Sequence, residues 1–167
     1  RMENNWKGEA SSKAFGDIIE KLQRLHSKVG PHGDIRLANL LSCGYIIDFD
    51  FVGATQYPST FNSITRDGKR HPEVEEMIQK GDVDAMKLEK KHDWFSLSEV
   101  MRLFKPVDSA KTEDWETLCS KVAKGLPTKT LELPQFQLEL KDDDMPLRGT
   151  RNTPVKEQPG AFSIHRV

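Results

Sequence analysis

The sequence predicts an α+β fold: a helix-rich single domain with a small antiparallel sheet and a disordered C-terminal tail. Three observations carry this. Apolar residues recur at helical spacing in several segments bounded by capping residues and glycines, short alternating runs mark strands, and all periodicity stops after Leu140. The expected organisation is a flexible N-terminus over 1–10, a folded α+β domain over 11–140 and a flexible tail over 141–167. A chain of 167 residues and 19.0 kDa is long enough to bury one real core.

Residues 2–10 are polar, with Trp6 as a docking side chain; Met2 reads as the native start and Arg1 as an expression remnant. Ser11 or Ser12 then caps a helix to Val29. Its apolar stripe is Phe15, Ile18, Ile19, Leu22, Leu25 and Val29, and Gly30-Pro31 ends it. Asp34 is placed to cap a second, shorter helix through Ile35, Leu37, Ala38, Leu40 and Leu41, closed by Gly44 and apolar on most sides.

Tyr45–Val52 alternates as a strand does, and Phe61–Arg66 leads into Asp67-Gly68, a hairpin signal. Pro72 suits the first turn of a helix that ends near Gly81, with Glu73, Glu75 and Glu76 at the positive end of its dipole. Asp82 caps a further helix from Val83 to about Lys91. The box Ser96-Leu-Ser-Glu99 starts another through Phe104, and Thr112 caps the last, to Lys124, with Trp115, Leu118, Cys119 and Val122 on one stripe. Thr130–Leu140 reads as an amphipathic strand that Pro134 confines to a sheet edge or splits in two. From Lys141 the chain is rich in breakers, with Phe162 and Ile164 as a short docking site.

Composition narrows the function classes. A 36% apolar, 31% charged chain with net charge -1 is not a general polyanion binder, although local basic patches remain. No run approaches the roughly 18 apolar residues of a membrane span. No secretory segment or Asn-x-Ser/Thr site is present, so the expected setting is cytoplasmic or nuclear. Cys43 and Cys119 lie in apolar neighbourhoods and read as buried free thiols.

Chemistry is hinted at in one place. On an extended Tyr45–Val52 strand, Asp48 and Asp50 project from one face with Ile46 and Val52, while Tyr45, Ile47, Phe49 and Phe51 take the other. Paired carboxylates at that spacing hold Mg²⁺ or Mn²⁺, as phosphoryl and nucleotidyl transfer require. Over Ile46–Val52 the pattern resembles the apolar-Asp-apolar-Asp-apolar strand of primases and nucleotidyltransferases. That resemblance implies Asp48 and Asp50 as metal ligands. The chain departs from it in lacking a matching third acidic residue, and its Ser42-Cys43-Gly44 stands in the wrong order for the Gly-Ser turn those families use. The bland alternative is a half-buried strand whose aspartates face water.

Arg66, Lys69 and Arg70 with His71 form a basic turn ahead of the Pro72 helix, where a phosphate would meet a helix N-terminus; the glutamates that follow repel the same anion. Lys87, Lys90, Lys91 and His92 make a second basic cluster, beside Trp94 and Phe95, which either stack a base or anchor a corner between helices. His26, His32, His71, His92 and His165 do not stand at metal-ligand spacing, so a zinc site would have to be assembled by the fold.

With no complete catalytic or cofactor motif, the leading expectation is a non-enzymatic protein-interaction or assembly module needing no cofactor. A scaffold, an adaptor, or a viral structural or accessory protein would fit, with protein partners or self-association and the tail as a recruiting segment. The alternative is a Mg²⁺- or Mn²⁺-dependent nucleic-acid enzyme using Asp48 and Asp50 with phosphate contacts from Arg66, Lys69 or Arg70. The second alternative is an RNA-binding module without catalysis, using the Lys87 to Phe95 region with Lys90 and Lys91 as contacts.

Overall fold

A computed structural model describes residues 9–55, 70–81, 87–125 and 137–140. Strand β1 (Glu9–Ser11) leads directly into helix α1 (Ser12–Lys28). A 3₁₀ turn at Leu37–Asn39 follows, then α2 (Pro72–Lys80), α3 (Lys90–Arg102), β2 (Phe104–Pro106), a 3₁₀ turn at Ser109–Lys111, α4 (Thr112–Ala123) and β3 (Gln137–Leu140). The sheet is antiparallel with order β1-β3-β2: Ala10 stands opposite Leu138, and Leu138 also opposes Pro106 across the other edge. This is the expected helix-rich α+β fold with a small antiparallel sheet.

The core forms where the apolar stripes of three helices meet one face of the sheet. Phe15, Ile18, Ile19 and Leu22 of α1 pack with Leu97, Val100 and Met101 of α3, with Trp115, Leu118, Cys119 and Val122 of α4, and with Leu138 of β3. The Phe15 ring meets Phe104 edge-on at 5.3 Å and Trp115 at 5.6 Å. Trp115 also ties α4 to the end of α3 and the start of β2, its indole N–H donating to the carbonyls of Met101 (3.3 Å) and Phe104 (3.1 Å). Arg102 joins α3 to α4 through Glu116 at 2.8 Å, and also holds Glu99 at 2.7 Å.

Several sequence expectations are corrected. Val29 is 59% exposed rather than on the buried stripe, because α1 ends at Lys28 and the chain turns away at Gly30. The helix expected from Asp34 is only the 3₁₀ turn. The Asn39 side-chain amide donates to both the carbonyl (2.9 Å) and the carboxylate (2.8 Å) of Asp34, which holds the segment in a turn that competes with helix.

The Tyr45–Val52 strand is likewise not formed. Ile46 bridges back to Leu40, but Asp48 takes a left-handed backbone (φ 65°) that ends extended pairing, and a turn follows at 50–53. The expected helix through Lys91 is replaced by non-helical backbone at Leu88 and Glu89. Ser96 does not start a helix but lies inside α3, as do Trp94 and Phe95. Phe104 is in β2, not at a helix end.

Strand β3 is central in the sheet rather than an edge, pairing with β1 on one side and β2 on the other, while Pro134 lies outside the described residues. Glu9 and Ala10, expected in the loose N-terminus, pair in the sheet. Cys119 is buried as expected, but Cys43 is exposed at a turn; both are free thiols. The Phe61–Gly68 hairpin, Val83–Met86, the start of the Thr130–Leu140 strand, Trp6 and the tail with its acidic run lie outside the described residues.

Candidate functional site

Two helix N-termini meet in one place. Pro72 occupies the first turn of α2, where its missing N–H is no loss, and His71 caps it by accepting the Glu73 N–H on Nδ1 at 3.3 Å. At the start of α3, His92 sits in the third position and reaches back with Nδ1 to the Glu89 N–H at 3.4 Å. The two capping imidazoles stand with ring centroids 5.1 Å apart, and Phe95 packs edge-on against His71 at 5.2 Å.

Glu73 lies between them. Its Oε2 is 4.0 Å from His71 Nδ1, 3.6 Å from His92 Nε2 and 2.7 Å from Lys91 Nζ, while Lys91 is also 3.5 Å from Glu89. The hydrogen bond from Lys91 holds the Glu73 carboxyl below its ordinary pKa, and Glu73 in turn raises Lys91. His92 is buried, and desolvation lowers its pKa against the opposing pull of Glu73, so its imidazole favours the neutral form. Two imidazoles and a carboxylate offer one ligand atom each within 4.8 Å of one another. Such a set suits a borderline divalent transition ion.

A second polar centre is built on Asp93, the next residue of α3. Its buried carboxylate accepts from the His32 N–H (2.6 Å) and the Gly33 N–H (2.9 Å), and lies 2.7 Å from His26 Nε2. It thereby fastens the end of α1 and the connector after it to α3. His32 is fully buried, and desolvation lowers its pKa although Asp93, Asp34 and Asp48 pull the other way.

The third feature is the segment 39–47. The Leu41 N–H donates to Tyr45 O (2.8 Å) and the Ile47 N–H to Asn39 O (2.9 Å), making a tight reversal with Gly44 in the left-handed region (φ 83°). A Cβ at Gly44 would stand 2.7 Å from Asp17 Cβ, so the turn seats closely on α1. Ile46 points inward, while Tyr45 (57% exposed), Ile47 (36%) and Phe49 (51%) face solvent. The Lys21 ammonium sits 4.6 Å above the Tyr45 ring.

Against this geometry the expected site residues divide. Asp48 and Asp50 are both exposed, but without the strand the period-2 argument that set them on one face no longer holds. Lys90 and Lys91 are exposed at the start of α3, with Lys91 engaged by Glu73 and Glu89. Arg70 is partly buried just before the His71 cap, and the first turn of α2 is already served by His71 and its own glutamates. Arg66, Lys69, Phe162 and Ile164 lie outside the described residues.

Trp94 cannot stack a base. It is buried, edge-on to the His26 ring at 5.1 Å and pressed against Gly125. His71 and His92, which do not stand at metal-ligand spacing in the sequence, are brought together by the fold. The sequence signal for His71 is its place before Pro72 at a helix start, whereas the capping role of His92 depends on α3 beginning at Lys90. No helix among the described residues is long and apolar enough to cross a membrane. Compared with protein-family models, curated proteins and solved structures, the chain matches none.

Proposed function

We propose that the chain is a non-enzymatic protein-interaction or assembly module, acting as a scaffold or adaptor. The observation that supports this is the exposure of Tyr45, Ile47 and Phe49. Single exposed apolar side chains are ordinary on any surface, but here three share one short stretch of backbone that its own hydrogen bonds hold in place. Aromatic anchors beside a cation, here Lys21, are the side chains that dominate protein interfaces. A preorganised turn also loses little conformational entropy on docking. A second copy of the chain and a different protein both suit this chemistry.

The test is site-specific photocrosslinking in the source cells, with the reactive group at position 45 and, as a control, at the exposed position 113 on α4. Discrete protein adducts from position 45 alone are expected, and Ile47→Asp should abolish them. If position 45 yields no adducts beyond those at 113, the interaction reading is removed.

A further inference from the structure

We propose that His71, Glu73 and His92 form a three-ligand site for a zinc-class divalent ion, which pins α2 to α3. The ligand chemistry is two imidazole nitrogens and one carboxylate oxygen, a set that zinc accepts with a fourth position left for water or a partner's side chain. The geometry is close to what the ion needs. Metal–ligand bonds of ~2.0–2.1 Å put tetrahedral ligands roughly 3.4 Å apart. Here Glu73 Oε2 is already 3.6 Å from His92 Nε2 and 4.0 Å from His71 Nδ1, and all three ligand atoms fall within 4.8 Å of one another. The contraction required falls mainly on exposed Glu73 and on His71, which stands outside the helix, while buried His92 stays fixed.

Binding exchanges contacts that are each weak or replaceable. Lys91 leaves Glu73 and keeps Glu89, which stands 3.5 Å from it. The two capping contacts to the Glu73 and Glu89 N–H groups, at 3.3 and 3.4 Å, are long for hydrogen bonds and are given up.

The fold supplies a reason for the ion as well as a place for it. Among the described residues, helix α2 buries Val74 against Leu88, with the partly buried Met77 and Ile78 beside it, in a small cluster apart from the main core. Two of the three ligands come from the start of α2 and the third from α3, so one ion spans the junction between these helices. This inference stands on its own geometry and does not depend on the interaction reading.

The experiment is titration of the full chain with Zn²⁺, and with Co²⁺ for its visible spectrum, alongside His71→Ala, Glu73→Gln and Cys43→Ser. Circular dichroism checks that each variant is folded. One ion per chain is expected, with the two ligand variants weakened at least about tenfold and Cys43→Ser unchanged. Imidazole ¹⁵N resonances of His71 and His92 should shift on binding, which locates the ion even if a ligand variant unfolds. Zinc should also slow amide exchange over 72–80 in the wild type and not in Glu73→Gln. Absence of binding, equal affinity in all variants, unmoved His71 and His92 resonances, or unchanged exchange over 72–80 would each overturn the proposal.

Discussion

The region built on α1, α3, α4 and the sheet and the region built on α2 are held by different forces. The first gathers apolar side chains from its three helices and from β2 and β3 into one cluster. Among the described residues of the second, Val74 meets Leu88, with Phe51, Met77 and Ile78 only partly covered, and polar contacts join the first turn of α2 to α3. Full burial of one aliphatic or aromatic side chain contributes about 1.5–3 kcal/mol, whereas solvent-exposed ion pairs are screened and add little. A helix with one buried residue therefore depends on the chemistry at its end. The regions touch at Gly33, whose left-handed backbone (φ 86°) lies so close to its neighbours that an added Cβ would stand 2.9 Å from a Leu88 methyl and 3.0 Å from Phe51 Cβ.

The comparison is broken most directly by truncating the larger core. Phe15→Ala removes a fully buried ring that contacts Phe104 and Trp115, and it should cost about 3–5 kcal/mol, read as a lowered urea midpoint. Every probe should move together, including one on α2, because the small cluster has too little buried surface to stay folded alone. A helix α2 that kept its protection after the main core melted would reverse the hierarchy.

The same contrast explains what the sequence disclosed. Helices α1 and α4 were legible because each carries an apolar stripe at helical spacing with stop or start residues beside it, and α2 because Pro72 and Gly81 bracket it. Expectations failed where distant partners decide the outcome. The 34–44 segment is apolar enough for a helix, yet Asn39 captures Asp34 and Ile46 folds back on Leu40. Strand β3 is central because Glu9–Ser11 arrives from the other end of the chain. Helix α3 begins six residues before the Ser96 box, since a glutamate with a histidine three positions on served as the cap. The His71–Glu73–His92 set was hidden for that reason: it depends on two helix starts being right and on how those helices meet.

A smaller effect should come from acid. His32 is held below its ordinary pKa by burial, against the carboxylates of Asp93, Asp34 and Asp48. The unfolded chain therefore binds a proton, near pH 6.5, before the folded chain does. Its contribution to stability is full above about pH 6.5 and is lost as pH falls toward the depressed folded value. His92 adds a change of the same sign. His32→Asn retains an acceptor for the Asp34 N–H, which His32 Nδ1 takes at 3.3 Å, and should flatten the decline in urea midpoint on acidification. An unchanged slope would place the acid sensitivity outside this buried connector.

The smallest global effect is expected at Val74, and it separates the two regions most sharply. Val74→Ala deletes two methyl groups from the one fully buried position of α2, a loss of roughly 1–2 kcal/mol at that site. If α2 opens by itself before the main core unfolds, that loss appears as faster amide exchange over 72–80, while exchange in α1 and α4 and the urea midpoint stay close to wild type. Were the midpoint instead to fall by the full local amount, α2 would belong to the same cooperative unit as Phe15. Its polar first turn would then be a seam within one structure, and the contrast between the regions would be one of chemistry without a difference in stability.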